Sequence, residues 1–172
     1  MTGMHEREKL AAAVLQAAEG EIIGRIRIQK IVYLLEQLGM EGGFRFSYHH
    51  YGPYSEELSD VLECAIEADR TIAEEQRPTE GGFYSVYTLA GPPDRPPATL
   101  GGLPWQCAVQ RIRAMKAETS TVLELAATIH WLREKERVAD WRKELKIRKA
   151  SKADDGRVDR ALDLLRRLEL AA

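Results

Sequence analysis

The sequence has few cysteines, no long apolar run and no large excess of one charge, and each lack argues against a class of protein. Only Cys64 and Cys107 are present among 172 residues, without CxxC spacing, so neither a disulfide framework nor a structural zinc site is expected. No apolar stretch approaches the roughly 18 residues that span a bilayer, and the start MTGMHEREKL lacks the apolar core of a signal sequence. We therefore expect a cytoplasmic protein without a membrane partner.

The near-balance of charge argues against a protein that coats nucleic acid. The chain carries 25 basic and 27 acidic residues, a net charge of -2. The two halves differ, however, because residues 1–100 hold 9 basic and 16 acidic side chains whereas residues 101–172 hold 16 and 11. Any contact with nucleic acid is therefore expected to be local, and the two halves could attract each other.

Short catalytic and metal-binding signatures are also missing. The sequence has no GxSxG, HExxH, P-loop or GxGxxG motif. His49 and His50 are adjacent and would point to opposite faces of a strand, His5 lies near the start, and His130 has no partner ligand on its helix. We therefore expect no metal, no cofactor and no enzymatic activity. The only constellation left for an enzyme is His49, His50 and Tyr51.

Proline and glycine divide the chain. Five of the seven prolines and three of the 13 glycines fall within residues 91–105, which predicts a linker. The linker would separate an N-terminal unit, residues 1–90, from a C-terminal unit, residues 106–172, that packs on it.

The N-terminal unit alternates helix and strand patterns in the order of a winged helix. Apolar residues recur at helical spacing in two segments before Gly39, aromatic residues then alternate in a strand, and Ser55 is placed to cap a third helix. A hairpin with a loose loop follows. The predicted elements are helices 5–18, 25–39 and 55–69, a strand at 44–49 and a hairpin at 71–89.

The C-terminal unit is predicted to be helical throughout. Residues 106–116 are amphipathic, Thr121 and Glu124 fit a capping box, and Asp155 is placed to cap the last helix. The fold class is therefore α+β, mainly α, with a winged-helix-like N-terminal unit of three helices and a small antiparallel sheet.

Tyrosines concentrate at one corner between strand and helix. Tyr48, Tyr51 and Tyr54 surround Gly52 and Pro53 in the segment FSYHHYGPYSEEL. Tyrosines supply large, rigid contacts with a polar tip, which favours a binding surface. A structural aromatic corner explains the same residues, and both interpretations stay open.

Charge is concentrated in two other places. The third helix carries six acids and no base, so it would repel DNA phosphates although a winged helix normally reads DNA with this element. Residues 133–152 hold nine bases against four acids, with Trp131 and Trp141 interleaved. This segment could hold a nucleic-acid backbone, an acidic partner or the chain's own third helix, or it could be a solvated helix face. The patch proposed there consists of Arg142, Lys143, Lys146, Arg148 and Lys149.

Three segments together resemble a known family. GRIRIQKIVYLL at 24–35, FSYHHYGPYSEEL at 46–58 and FYSVYTLA at 83–90 resemble the Panacea domain, a group with SocA-type antitoxins and proteolytic adaptors, phage genetic-element proteins and YwgA-like proteins. The C-terminal LELAATIHWLREKE is similar to the YwgA-like members. The resemblance places the family's signature and partner-binding positions on Gly24, Arg25, Gln29, Lys30, Tyr33, His49, Tyr51, Gly52, Pro53, Tyr54 and Ser55.

The resemblance implies a function through a protein partner. Such a protein would neutralise a toxin or deliver a partner to a protease, in a toxin–antitoxin or phage-conflict system. The alternative is a DNA-binding regulator that uses the basic C-terminal segment. Family members often have Thr or Ser where this chain has Ile26, so the start of the second helix differs.

Overall fold

The computed structural model describes residues 3–171, and its first half joins three helices to a small sheet. Gly24, at φ +96°, ends the first strand and precedes the second helix, and the Ser55 hydroxyl accepts from Leu58 N at the start of the third. The helices predicted here are confirmed within two residues at each end. The elements are α1 Met4–Ala17, β1 Glu21–Ile23, α2 Arg25–Gln37, β2 Ser47–His49, β3 Gly52–Tyr54, α3 Glu56–Glu67, β4 Ile72–Thr79 and β5 Gly82–Leu89.

The main sheet is antiparallel with the strand order β1-β5-β4, and β2 and β3 form a separate hairpin. Two predictions need correction. The strand predicted at 44–49 covers only Ser47–His49, and the loose loop predicted between β4 and β5 is a tight turn at Glu80 and Gly81, because pairing continues to Thr79. The pairing register sets Glu74 opposite Tyr87.

The second half of the predicted linker is ordered structure. A hairpin of β6 Thr99–Leu100 and β7 Leu103–Pro104 buries both leucines. Its backbone lies so close to the loop after α2 that Gly102 N donates to Met40 O at 2.9 Å, and a Cβ on Gly101 would clash with the same carbonyl. Glycine is therefore required for this close approach.

The C-terminal part is helical, as predicted. Its caps differ from the prediction, because Thr119 and Asp154 cap α5 and α7 in place of Thr121 and Asp155. Glu124 has no capping role and lies 2% exposed inside the fold. The elements are α4 Trp105–Lys116, α5 Ser120–His130, a π-helical turn Trp131–Lys135, α6 Trp141–Lys149, a 3-10 turn Ala150–Lys152 and α7 Asp155–Arg167.

One cluster of buried apolar side chains runs through both parts of the chain. Helix α5 packs between α2 and α7, and Tyr33, Leu125 and Leu165 are each at most 1% exposed. The mainly α, α+β class is confirmed, whereas the winged-helix assignment and the division into two units stay predictions. Within residues 3–171, no helix is both long and apolar enough to cross a bilayer.

Candidate functional site

Two signature residues of α2, Gln29 and Lys30, hydrogen-bond the backbone of the tyrosine corner. The Gln29 amide donates to Ser55 O and accepts from Ser55 N, both at 2.9 Å, and Lys30 Nζ donates to Pro53 O at 2.7 Å. All four residues are buried. Because these bonds satisfy backbone groups at the start of α3, Gln29 and Lys30 fix the direction in which α3 leaves the corner.

A buried group of charges joins this corner to the C-terminal helices. We call Lys30, Glu124, Lys149 and Lys152 the lysine–glutamate cluster. Glu124 accepts from Lys149 at 2.7 Å and from Lys152 at 3.3 Å, and Lys149 also donates to His50 O at 3.2 Å. Burial lowers the pKa of Lys30 to about 8; nearby Glu124 opposes this shift and Lys149 adds to it. Lys149 of the predicted basic patch is therefore an internal residue.

Tyr33, the signature tyrosine on α2, is also an internal residue. Tyr33 is fully buried and its hydroxyl hydrogen-bonds His130 Nδ1 at 2.8 Å. Burial raises the pKa of Tyr33 and lowers the pKa of His130 to about 4, so both are neutral at pH 7. The Phe46 ring lies 5.2 Å from Tyr33 in an edge contact. The hydrogen bond between Tyr33 and His130 stabilises the packing of α2 on α5.

The exposed side of the corner meets the basic segment. The Arg148 guanidinium carbon lies 4.6 Å from the centroid of the Tyr48 ring. The same guanidinium forms a bidentate salt bridge with Glu136, with N···O distances of 2.7 and 2.8 Å. Lys152 lies 5.0 Å from the ring of Tyr51, which is 47% exposed. The basic segment thus packs on the tyrosine corner and on α5, and the hypothesis that it covers the acidic α3 is wrong.

Two remaining corner residues have local roles. Gly52 has φ +91°, and a Cβ there would lie 2.7 Å from Thr128 Oγ1, so the corner needs glycine to pack on α5. His49 stacks on Tyr54 at 4.9 Å and hydrogen-bonds Ser47 at 2.9 Å. Of the predicted basic patch, Arg142, Lys143 and Lys146 remain exposed on α6.

A cleft of about 380 Å³ opens between α2, α3 and the sheet. Apolar side chains form part of its lining, together with two tyrosines and three carboxylates. We call it the acidic cleft. Its lining residues are Arg25, Ile28, Gln29, Tyr54, Ser59, Leu62, Glu63, Ile66, Glu67, Glu74 and Tyr87.

The three carboxylates of the acidic cleft differ in whether they have a partner. Glu74 accepts from Arg25 at 3.1 Å and from Ser85 at 2.7 Å, and the hydrogen bond from Arg25 to Glu74 raises the pKa of Arg25. Glu63 and Glu67 are exposed and form no ion pair within the described part of the chain. Together with Glu56 and Asp60 they form an acidic stripe along the exposed face of α3. One wall of the acidic cleft therefore carries uncompensated negative charge.

The structure sorts the predicted residues into three places. Arg25, Gln29 and Tyr54 lie in the acidic cleft, and Lys30, Tyr33, Gly52, Pro53 and Ser55 lie in the packing beneath or beside it. Tyr51 and His49 face outward on the hairpin. Glu74 and Tyr87 were not among the predicted residues, since only the pairing of β4 with β5 brings them together. The alternation of residues in β5 was the available signal, and β4 has no such alternation.

Comparison with known proteins yields two relatives, while no protein-family profile matches the chain. A DNA ADP-ribosyl glycohydrolase of Thermus aquaticus is 31% identical over 135 residues, which is 74% of this chain and 35% of that protein. The uncharacterized protein YwgA of Bacillus subtilis is 34% identical over 73 residues, 41% of this chain and 42% of YwgA. The matched part thus spans well under half of each relative.

The first relative corrects one expectation. The sequence motifs predicted a protein without enzymatic activity, and the similarity to a named glycohydrolase contradicts this. The prediction rested on missing short motifs. Glycoside hydrolysis needs two carboxylates that can come from distant positions, so motif searches of that kind do not exclude it. The similarity to YwgA supports the YwgA-like part of the resemblance.

Proposed function

We propose that this chain is a protein-binding module of an antitoxin or adaptor, related to the Panacea and YwgA-like proteins, and that its acidic cleft captures a partner. The observation that carries the proposal is a coincidence of two independent features. Arg25, Gln29 and Tyr54 of the family signature line the same cleft as the unpaired Glu63 and Glu67. Lys30 and Ser55, two further signature residues, hold the start of α3 in place beside it.

The cleft has the physical character of a docking surface. Leu62 and Ile66 provide an apolar lining, Tyr54 and Tyr87 provide aromatic anchors, and the acidic stripe extends beyond the rim. Charges at a rim steer a partner and select its sign, while aromatic side chains in a pocket contribute most of the affinity. The complementary partner has a basic surface with an apolar or aromatic projection.

The Thermus aquaticus relative suggests which basic surface this is. A glycohydrolase that acts on ADP-ribosylated DNA presupposes a transferase that attaches the ADP-ribose. A protein that modifies DNA needs basic side chains to hold the phosphate backbone. We infer that the acidic cleft binds the DNA-contacting surface of such a transferase and thereby blocks it.

Co-expression with the product of a neighbouring gene tests this function. We expect the neighbouring protein to inhibit growth when it is produced alone and to be tolerated when this chain is present. Glu63→Lys/Glu67→Lys should abolish the protection, whereas the matched change Glu80→Lys/Asp159→Lys, on exposed acids outside the acidic cleft, should leave it intact. Protection that survives the first variant would refute the role of the cleft.

A second candidate function follows from the same relative. The acidic cleft contains Glu63, Glu67 and Glu74 beside Arg25, and a pair of carboxylates is the usual machinery of glycoside hydrolysis. The chain alone would then release ADP-ribose from modified DNA. Incubation with ADP-ribosylated duplex DNA, using Glu67→Gln and Glu74→Gln as variants, measures this directly.

The DNA-binding alternative would use the bases that the fold leaves exposed. Arg148 and Lys149 are used within the fold, and five bases of the basic segment remain exposed: Lys135, Arg137, Arg142, Lys143 and Lys146. Five phosphate contacts give a log-log salt slope of about -4.5. Titration of duplex DNA at two salt concentrations would favour this alternative if binding were tight and steeply salt-dependent.

A further inference from the structure

Three side chains with metal-ligating atoms converge beside α1. His5, Glu8 and Asp69 each place one such atom within 4.8 Å of the other two. His5 and Glu8 are three residues apart on α1 and so share a face, and Asp69 follows α3, which packs along α1. The sequence predicted no metal site, because Asp69 is distant from His5 along the chain and only the packing of α3 on α1 unites them.

Of these three residues, Glu8 has the side chain that most needs a ligand. It is 6% exposed, and its Oε2 is buried without a hydrogen-bond partner among residues 3–171. An unpaired carboxylate oxygen in such surroundings is destabilising unless a proton, a water molecule or a cation satisfies it. His5 and Asp69 supply the further ligands that a metal cation requires.

The spacing is close to that of a coordinated ion. Ligand atoms around a tetrahedral zinc ion with bonds of about 2.0 to 2.1 Å are roughly 3.3 Å apart. His5 Nδ1 and Asp69 Oδ2 are 3.9 Å apart, and their side chains are 73% and 40% exposed. Rotation of these exposed side chains can close the remaining difference without moving either helix.

We propose that His5, Glu8 and Asp69 form a binding site for one zinc ion or a similar transition-metal dication. One imidazole and two carboxylates suit such ions better than Mg²⁺ or Ca²⁺, which prefer oxygen ligands alone. The three protein ligands leave a fourth position for water, and the site borders a groove of about 690 Å³. The site lies outside the acidic cleft and is independent of the function proposed above.

Calorimetric titration of the untagged full chain with zinc chloride tests the site. We expect one equivalent to bind with a Kd in the micromolar range and magnesium chloride to bind at least 100-fold more weakly. His5→Ala and Asp69→Asn, both at exposed positions, should each weaken zinc binding at least tenfold. Glu6→Gln and His50→Ala, matched exposed changes outside the cluster, should leave the affinity unchanged.

Cobalt(II) provides a second readout that reports on geometry. The bound ion should give the intense visible absorption of a tetrahedral site, and His5→Ala should abolish it. Absence of zinc binding at millimolar concentration would overturn the proposal. So would zinc binding that His50→Ala removes or that Asp69→Asn leaves unchanged, because His5 and Asp69 would then form only an ion pair.

Discussion

The acidic cleft and the lysine–glutamate cluster both adjoin α2 and the tyrosine corner, and they differ in whether their carboxylates are paired. In the cluster, Glu124 is 2% exposed and each oxygen has a lysine partner. In the cleft, Glu63 and Glu67 face solvent with no partner in the described part of the chain. The buried carboxylate is thus paired internally, and under the proposed function the unpaired carboxylates of the cleft meet a partner.

The largest expected effect is on the paired side of this comparison. Glu124→Gln would leave Lys149 and Lys30 buried without a counter-charge, and breaking a buried ion pair in this way costs about 3 to 5 kcal/mol. Lys152→Met, which changes a partner that is 42% exposed, should cost less than about 1 kcal/mol. Urea unfolding of both variants measures the difference. Equal costs would mean that the cluster is hydrated and not an internal interaction.

The apolar lining and the rim of the cleft should also differ. Leu62 is 5% exposed and Glu63 is exposed, so Leu62→Ala should lower the free energy of unfolding by about 2 to 5 kcal/mol and Glu63→Ala by less than about 0.5. Thermal melts compare the two. A greater loss for Glu63→Ala would contradict the description of the cleft rim as free of internal contacts.

Acid should weaken the packing of α5 on α2 through His130, which bonds Tyr33. Its pKa is lowered by burial from 6.5 to about 4, so the unfolded chain takes up a proton first as the pH falls. The resulting loss of stability runs from about pH 6.5 down to about pH 4 and amounts to at most about 3 kcal/mol. His130→Gln should flatten the dependence of the unfolding free energy on pH in that window. An unchanged slope would show that His130 is not the group responsible.

The smallest expected effect is on the unpaired side. Asp60→Lys/Glu67→Lys should change the free energy of unfolding by no more than about 0.5 kcal/mol, because neither carboxylate has an ion-pair partner among residues 3–171. Thermal melts at low salt measure it. A large loss that Arg142→Glu/Lys143→Glu restores would instead make the acidic stripe an internal interface.

The contrast also explains what the sequence could predict. Helical periodicity and the Ser55 cap are local signals, and they placed α1, α2 and α3 correctly. The three-residue β1 has no such signal, since it exists only through pairing with β5. Glu124 was assigned to a capping box because its spacing from Thr121 fits one, whereas its actual lysine partner lies 25 residues further along the chain.

The candidate site divides in the same way. The family signature identified Arg25, Gln29 and Tyr54, but a motif cannot say which members line a cleft and which support it from beneath. Glu74 and Tyr87 become neighbours only through the register of β4 and β5. Packing of the basic segment on the tyrosine corner likewise depends on tertiary contacts such as that of Arg148 with Tyr48.

The most direct test of the proposed function is the affinity of the purified chain for its proposed partner, produced from a neighbouring gene. Calorimetry should give a Kd at least tenfold weaker for Glu63→Lys/Glu67→Lys than for the wild type, a loss of about 1.4 kcal/mol or more. Glu80→Lys/Asp159→Lys, with the same change in net charge, should bind as the wild type does. Equal weakening by both variants would show that overall charge alone explains the change in Kd. No weakening by either would contradict the proposal that the acidic cleft binds the partner.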